Sequence, residues 1–373
     1  MAEREIRLAQ VRRTTAEIAH QFRRSTLAAG DIVLSIVGTI GKVAFVPREL
    51  EGGNITQCSV RIRPDRSRVE PRFLAWALES PGLRMQYDAL RFGSGVPRLN
   101  VGHVRMLTLP LPPVTEQRRI ADILDKADAV RRKRRKAIAL TEELLRSTFL
   151  EMFGDPVTNP KRWAVRPLGE VLSFLTSGSR GWASHYSTTG EMFLRIQNVG
   201  ADFLDLSDVA FVNAPKTAEA KRAQVAAGDV LLSITADLGR TAVVPTGLPR
   251  AFINQHLAIL RPNGVEPDYL SAFLASPAGC RQLGRLDRHG VKAGLNFDDI
   301  RSVSVTIPNV GAQRAFAYAK ARIREHGCSS HRAARLSDRL FAALVQRMFR
   351  GMPNAALRHG RALGARILPG ELR

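Results

Sequence analysis

The chain has 373 residues, with 56 Lys and Arg against 34 Asp and Glu, a formal charge of +22. That length suits two or three ordinary domains, and that charge predicts attraction to a polyanion, nucleic acid above all, whatever the fold. Three scattered cysteines, Cys58, Cys280 and Cys328, give no disulfide framework or zinc spacing; no apolar run approaches a membrane span, and the charged opening MAEREIRLAQ lacks a signal core, so a cytoplasmic protein is expected.

In chain order, the first clear signature is GDIVLSIVGTIGKVAFVP, Gly30 to Pro47. Its glycines and Lys42 suggest a phosphate loop, but such a loop needs a glycine five positions before the Gly-Lys pair and Ser or Thr after the lysine. Ile36 and Val43 stand there. The stretch therefore reads as a buried strand after a Gly-Asp turn, a turn at Gly41 and a returning strand. PRFLAWALES, ending at Ser80, predicts a short helix entered at Pro71 and closed before Ser-Pro. LRFGSGVPRLN, Leu90 to Asn100, predicts a flexible basic loop.

A long proline-free helix follows. From Gln117 to Phe153, apolar residues recur at intervals of three and four: Ile120, Ile123, Leu124, Ala127, Val130, Ile138, Leu144, Leu145, Thr148 and Met152. That stripe suits packing against another helix. Within it lies RRKRRK, Arg131 to Lys136. Six consecutive cations must surround the helix, as a solvated face or, given the net charge, a phosphate track.

The phrases then return. GDVLLSITADLGRTAVVP begins at Gly228, 198 residues after Gly30, and INQ (Ile253 to Gln255) answers ITQ (Ile55 to Gln57). PDYLSAFLAS answers PRFLAWALES, LDRHGVKAGLN (Leu286 to Asn296) answers LRFGSGVPRLN, and IPNVGAQRA answers LPPVTEQRR. Matching phrases in constant order over so long a period mean domain duplication rather than a solenoid. The second helix, from Gln313 through Phe316, Ile323, Leu336, Leu340, Leu344 and Met348, is weaker because Gly327 and GCSS interrupt it. The stretch Asp155 to Asn198 has no earlier counterpart, since Met1 aligns near Val199; by this alignment the first domain is N-terminally truncated. The expected organisation is a first domain over 1–115, a helix over 116–154, a second domain over 155–311, a degenerate helix over 312–350, and a basic, disordered tail over 351–373.

No catalytic constellation emerges. The eight histidines form no HExxH or other close ligand pair. NPKRW has a lysine where an amino-methyltransferase signature has its second proline, and PDRSRVEPR lacks the lysine of a nuclease carboxylate set. What remains are loops bearing basic and amide groups, suited to phosphates and base edges. The candidate DNA contacts are Arg91, Arg98 and Asn100 in the first duplicated loop and Arg288, Lys292 and Asn296 in the second. Asn54, Gln57, Asn254, Gln255 and His256 form another set, and Arg180 and Tyr186, in and after TSGSRGW, a third. The competing reading is that the Leu-Asn pairs cap the following turns and the amides satisfy backbone groups.

The double unit, LPPVTEQRRIADIL opening the first helix, EMFGDPVTNPKRW leaving it, and LGEVLSFLTSGSRG resemble the specificity (S) subunits of type I restriction–modification systems. The likeness runs from about residue 28 to 350. It implies an α+β chain: two duplicated mixed α/β target-recognition domains, each followed by a long helix, the two helices pairing as an antiparallel coiled coil. Each domain would read half of a split double-stranded DNA target. The chain would have no catalytic residue and bind no metal or cofactor itself. Its partners would be methyltransferase (M) subunits carrying S-adenosylmethionine and restriction (R) subunits using ATP and Mg. Two alternatives stay open: a silent remnant that binds M without full site recognition, and a reader fused to an unrecognised nuclease.

Overall fold

The structure is a computed structural model that describes residues 4–93, 95–286, 294–327, 330–350, 354–356 and 366–368. The first repeat holds α1 (Ala16–Gln21), β1 (Ile32–Ser35), β2 (Val43–Phe45), β3 (Ser59–Arg63), α2 (Pro71–Leu78), α3 (Pro81–Leu90), α4 (Val101–Met106), β4 (Thr108–Pro110) and the long α5 (Val114–Phe153). The second holds β5 (Ala164–Pro167), β6 (Leu172–Ser177), β7 (Tyr186–Ser187), β8 (Glu191–Leu194), β9 (Ala210–Val212), α6 (Ala218–Arg222), β10 (Val230–Ser233), β11 (Thr241–Val243), β12 (Ala251–Ile253) and β13 (Leu257–Pro262). It continues with α7 (Pro267–Ala275), α8 (Pro277–Leu286), α9 (Phe297–Ser302), β14 (Ser304–Ile307), α10 (Val310–Gly327) and α11 (Ser330–Phe349). β15 (Asn354–Ala356) and β16 (Arg366–Leu368) follow.

The chain forms two compact units, one of Met1–Arg132 with Ser337–Arg373 and one of Lys133–Leu336. In the first, β1 pairs antiparallel with β2 and β3, with Ile32 opposite Phe45 and Ile62. In the second, β10 pairs with β11 and β13, with Val230 opposite Val243 and Leu260. The registers coincide, so the duplication holds at the level of hydrogen bonds. Gly41 and Gly239 close the two hairpins with φ of +85° each, a backbone state that suits glycine at the turn. Each glycine turn joins two largely buried antiparallel strands, as the strand–turn–strand reading expected.

Each sheet packs on a proline-opened helix. In the first unit, Ile32, Leu34, Val60 and Ile62 meet Phe73, Leu74 and Leu78 of α2, Ile120 and Leu124 of α5, and Phe341 and Val345 of α11. In the second, Val230, Leu232 and Leu260 meet Tyr269 and Phe273 of α7, Phe149 and Phe153 at the end of α5, and Phe316 of α10. A further cluster of Trp182, Phe193, Leu231, Phe252 and Ile259 joins that sheet to the second sheet, β12–β8–β9–β7. The helical stripe is only partly interior. Ile120 and Leu124 are buried, whereas Val130 and Leu144 are about half exposed.

Two stretches of the expected tail are strands. β15 pairs with β4 and β16 with β3 in the first unit, as β5 pairs with β14 and β6 with β13 in the second. Backbone groups at a sheet edge accept any extended segment, so hydrophobic pattern alone gave no sign of this.

Candidate nucleic-acid interface

The same three-strand weave lies beyond the hairpin in both units. In the second, the Ile234 N–H donates to the His256 carbonyl at 3.0 Å and the Leu295 N–H to the Ile234 carbonyl at 3.0 Å; Thr235 bridges Gly294. In the first, Ile36 donates to the Cys58 carbonyl at 2.9 Å, Leu99 donates to the Ile36 carbonyl at 2.8 Å, and Val37 bridges Arg98. Leu99 and Leu295 are buried and anchor the weave. Residues 97–99 and 294–296 are thereby held beside the hairpin turn and the strand-connecting loop 56–58 or 254–256. Fixed backbone at a corner with exposed side chains is a platform for recognition.

The candidate residues divide on this platform. Arg98 is exposed, and its backbone exchanges two 3.0 Å hydrogen bonds with Phe92, closing the loop between them. Arg91 is exposed and lies 3.4 Å from Asp88. Asn100 and Asn296 cap α4 and α9: their side-chain oxygens accept from the His103 N–H at 2.7 Å and the Asp299 N–H at 2.8 Å. The cap occupies that acceptor, as the competing reading of the Leu-Asn pairs expected. Arg288 and Lys292 lie outside the described residues.

In the second unit four segments converge. His256 Nδ1 is 2.6 Å from Thr235 Oγ1, and its Nε2 is 3.2 Å from Gln255 Nε2. The Asn254 side-chain oxygen accepts from the His256 N–H at 3.2 Å. Gly178 lies directly over this turn; a Cβ there would collide with the Ile253 carbonyl and the Asn254 backbone. That close approach carries TSGSRGW to the corner, with Arg180 exposed and Trp182 buried at ring distances of 4.8 Å from Phe193 and 5.4 Å from Phe252. Tyr186, exposed on β7, touches Phe193 edge-on at 5.5 Å. Thr235 was not among the candidate residues; its hydroxyl matters only because the fold brings it to His256, and nothing local marks it.

The basic run is not a free phosphate track. A helix turns about 100° per residue, so part of it faces inward. Arg131 lies 2.5 Å from Asp128 and over the Phe341 ring at 4.3 Å, and Arg132 reaches Asp128 at 3.1 Å. Arg134 donates to the Ala333 carbonyl at 3.2 Å. Lys133 and Lys136 are exposed.

Among the described residues no group of three or more His, Cys, Asp and Glu could hold a metal ion, and no helix is long and apolar enough to cross a membrane.

Residues 8–141 match the family described as the type I restriction modification DNA specificity domain. The chain is 31% identical over 160 residues to the type I restriction enzyme EcoBI specificity subunit of Escherichia coli, covering 41% of this chain and 33% of that one. The chain is similar to type I specificity subunits, and residues 8–141 carry their DNA specificity domain. To the EcoKI specificity subunit of Escherichia coli K12, the chain is 24% identical over 323 residues, 78% of this chain and 68% of the relative. The solved S subunit of the type I restriction–modification system from M. genitalium shares its fold, with a TM-score of 0.56 at 15% identity over 88% of this chain and 85% of that one.

Proposed function

We propose that this chain is a type I specificity subunit, which reads a bipartite double-stranded DNA target, one half with each unit, and positions methyltransferase and restriction subunits on it. The observation that carries the reading is the repeated weave, which brings Arg98 and Gly294, on matching segments, to the same hairpin corner of the two units. The second corner gathers Arg180, Gln255 and His256; the first presents Arg98 and Gln57. The long helices set the gap between the two half-sites: α5 has 40 residues, about 60 Å at about 1.5 Å per residue. The chain does no chemistry of its own. Methyl transfer, ATP hydrolysis and cleavage belong to the partner subunits, which hold S-adenosylmethionine, ATP and Mg.

The net charge of +22 supports the same reading, because counterion release from phosphates drives binding. Duplex binding is measured by anisotropy as salt is raised. With about five phosphate contacts the log–log slope is near −4 to −5. A slope near zero overturns the reading.

A further inference from the structure

Each unit seats its α2- or α7-bearing domain on a long helix through one shared joint. Gln117 of α5 accepts from the Glu70 N–H at 2.9 Å, and Gln313 of α10 accepts from the Glu266 N–H at 2.8 Å. The joints are otherwise alike, yet the charges beside them are opposite in sign.

In the first unit the domain side meets the helix through two cations, Arg4 and Arg72, beside Glu70, which faces Arg118 of α5 at 3.8 Å. Arg72, just after the helix-opening Pro71, reaches Asp122 at 2.9 Å and Asp125 at 3.0 Å on α5. Arg4 lies over the Trp76 ring at 3.1 Å, pairs with Glu79 at 2.7 Å and approaches Asp125 at 3.9 Å. The Trp76 indole N–H also donates to Asp125, at 2.9 Å.

In the second unit the domain side is anionic. Asp268, just after the helix-opening Pro267, reaches Lys320 of α10 at 2.9 Å. Asp202 reaches the same Lys320 at 2.6 Å and Arg324 at 3.2 Å. Lys320 is only 1% exposed. Leu124, buried and apolar, stands at its place in the first unit, each about two turns beyond its glutamine.

The domain-side positions correspond one to one. Arg72 and Asp268 share a helix position. Arg4 and Asp202 are separated by the repeat spacing, and both have left-handed backbones, with φ of +61° and +67°. On the helices, Asp122, Asp125 and Asp128 align with Tyr318, Ala321 and Arg324.

We propose that this reversed polarity is a key that lets each recognition domain seat only on its own helix. A duplicated chain faces a specific hazard. Two domains with the same joint can exchange helices, within a chain or between copies, as in domain swapping. Here an exchanged first domain would set Arg4 and Arg72 against Lys320 and Arg324, and an exchanged second domain would set Asp202 and Asp268 against Asp122 and Asp125. Like charges forced together, with the buried Lys320 left unpaired, reject the wrong partner more strongly than the right pair attracts. The partner that each surface fits is therefore a helix of opposite charge, and the pairing is chosen by repulsion.

The test grafts the first unit's cluster onto the second in the full chain. The domain-side graft is Asp202→Arg with Asp268→Arg; the helix-side graft is Tyr318→Asp, Lys320→Leu, Ala321→Asp and Arg324→Asp. Each is made alone and then both together. Melting is followed by hydrogen exchange in α7, and tagged and untagged copies are mixed to count mixed dimers. Either half-graft is expected to lower the melting temperature of the second unit by about 4 °C or more, and the full graft to recover most of that loss. The full graft then carries one polarity in both units, and mixed dimers should rise about tenfold over the parent chain. Recovery without a rise in mixed dimers overturns the proposal. Losses that simply add, with no recovery, overturn it too, because the two sides would not be paired. If a half-graft fails to accumulate, Asp268→Arg and Lys320→Leu, singly and combined, carry the same comparison of additivity.

Discussion

Arg63 holds Asp31 with both arms of its guanidinium, Nε to Oδ1 at 2.7 Å and Nη2 to Oδ2 at 2.6 Å. Arg261 and Asp229 repeat the pair in the second unit at 2.7 and 2.9 Å. Both carboxylates are buried, and each also accepts a backbone N–H, from Ala28 and Ala226. The hydrogen bond to the carboxylate raises the pKa of Arg63 and of Arg261 above the ordinary value. Each pair fastens the Gly-Asp turn to the third strand of its sheet, so the polar link lies on the step from turn to sheet.

Removing the arginine should hurt more than its exposed position suggests. Arg261→Ala leaves the Asp229 carboxylate buried without its cation, at a cost of about 2 to 3 kcal/mol. Arg261→Ala combined with Asp229→Ala should cost less than the two single changes added together. Denaturant unfolding of the four proteins measures this coupling, and additive losses would mean that the pair does not act as one.

Gln313 makes a second link, from helix to domain. It is 1% exposed, accepts from the Glu266 N–H at 2.8 Å, and donates to the Pro308 carbonyl at 2.7 Å. Gln313→Leu has nearly the right volume but orphans a buried donor and an acceptor, so about 2 kcal/mol should be lost. Gln313→Glu keeps the acceptor and should lose less stability when protonated at low pH, where its O–H replaces the amide donor. Urea midpoints at neutral and acid pH separate the two variants.

Much of this fold was legible in the sequence. The Gly-Asp turns, the glycine at each hairpin and the proline-opened helices are local signals, and each element lies where its phrase predicts. The repeat was legible too, because strand register follows the same spacing as the phrases. Besides the tail strands, three features were not. The polarity of Arg72 and Asp268 reads as surface charge until the facing helix is known. The inward turn of Arg131 and Arg134 depends on Phe341 and Ala333, distant in sequence. Thr235 meets His256 through a backbone weave that no single phrase contains.

At that corner the two units differ in chemistry. Thr235 and His256 stand where the first unit has Val37 and Cys58. Thr235→Val removes the hydrogen bond to His256 and should change stability by about 1 kcal/mol or less. It should weaken recognition of one half-site while leaving the salt dependence of binding unchanged, because no phosphate contact is removed. Competition between duplexes altered in one half at a time reads this out. Equal loss for both halves would place the residue outside the reading edge.

The basic run offers a contrast within one helix. Lys133→Ala and Lys136→Ala should leave stability within about 0.5 kcal/mol. If those side chains touch phosphates, each should lower the salt slope by about one. Arg131→Ala loses a stacked cation and an ion pair, and should cost about 1 kcal/mol of stability. Melting curves and salt titrations on the same three variants distinguish a phosphate contact from an internal stitch.

The proposal that each unit reads one half of a divided target can be tested in the cell. Its most direct test maps methylated sites in a host carrying this chain with its methyltransferase subunit, for the parent and for Gln255→Ala combined with His256→Ala. A bipartite target is expected in the parent and, in the variant, relaxed or lost preference in one half with the other half and the gap unchanged. Altered preference in both halves, or a continuous target, would contradict it.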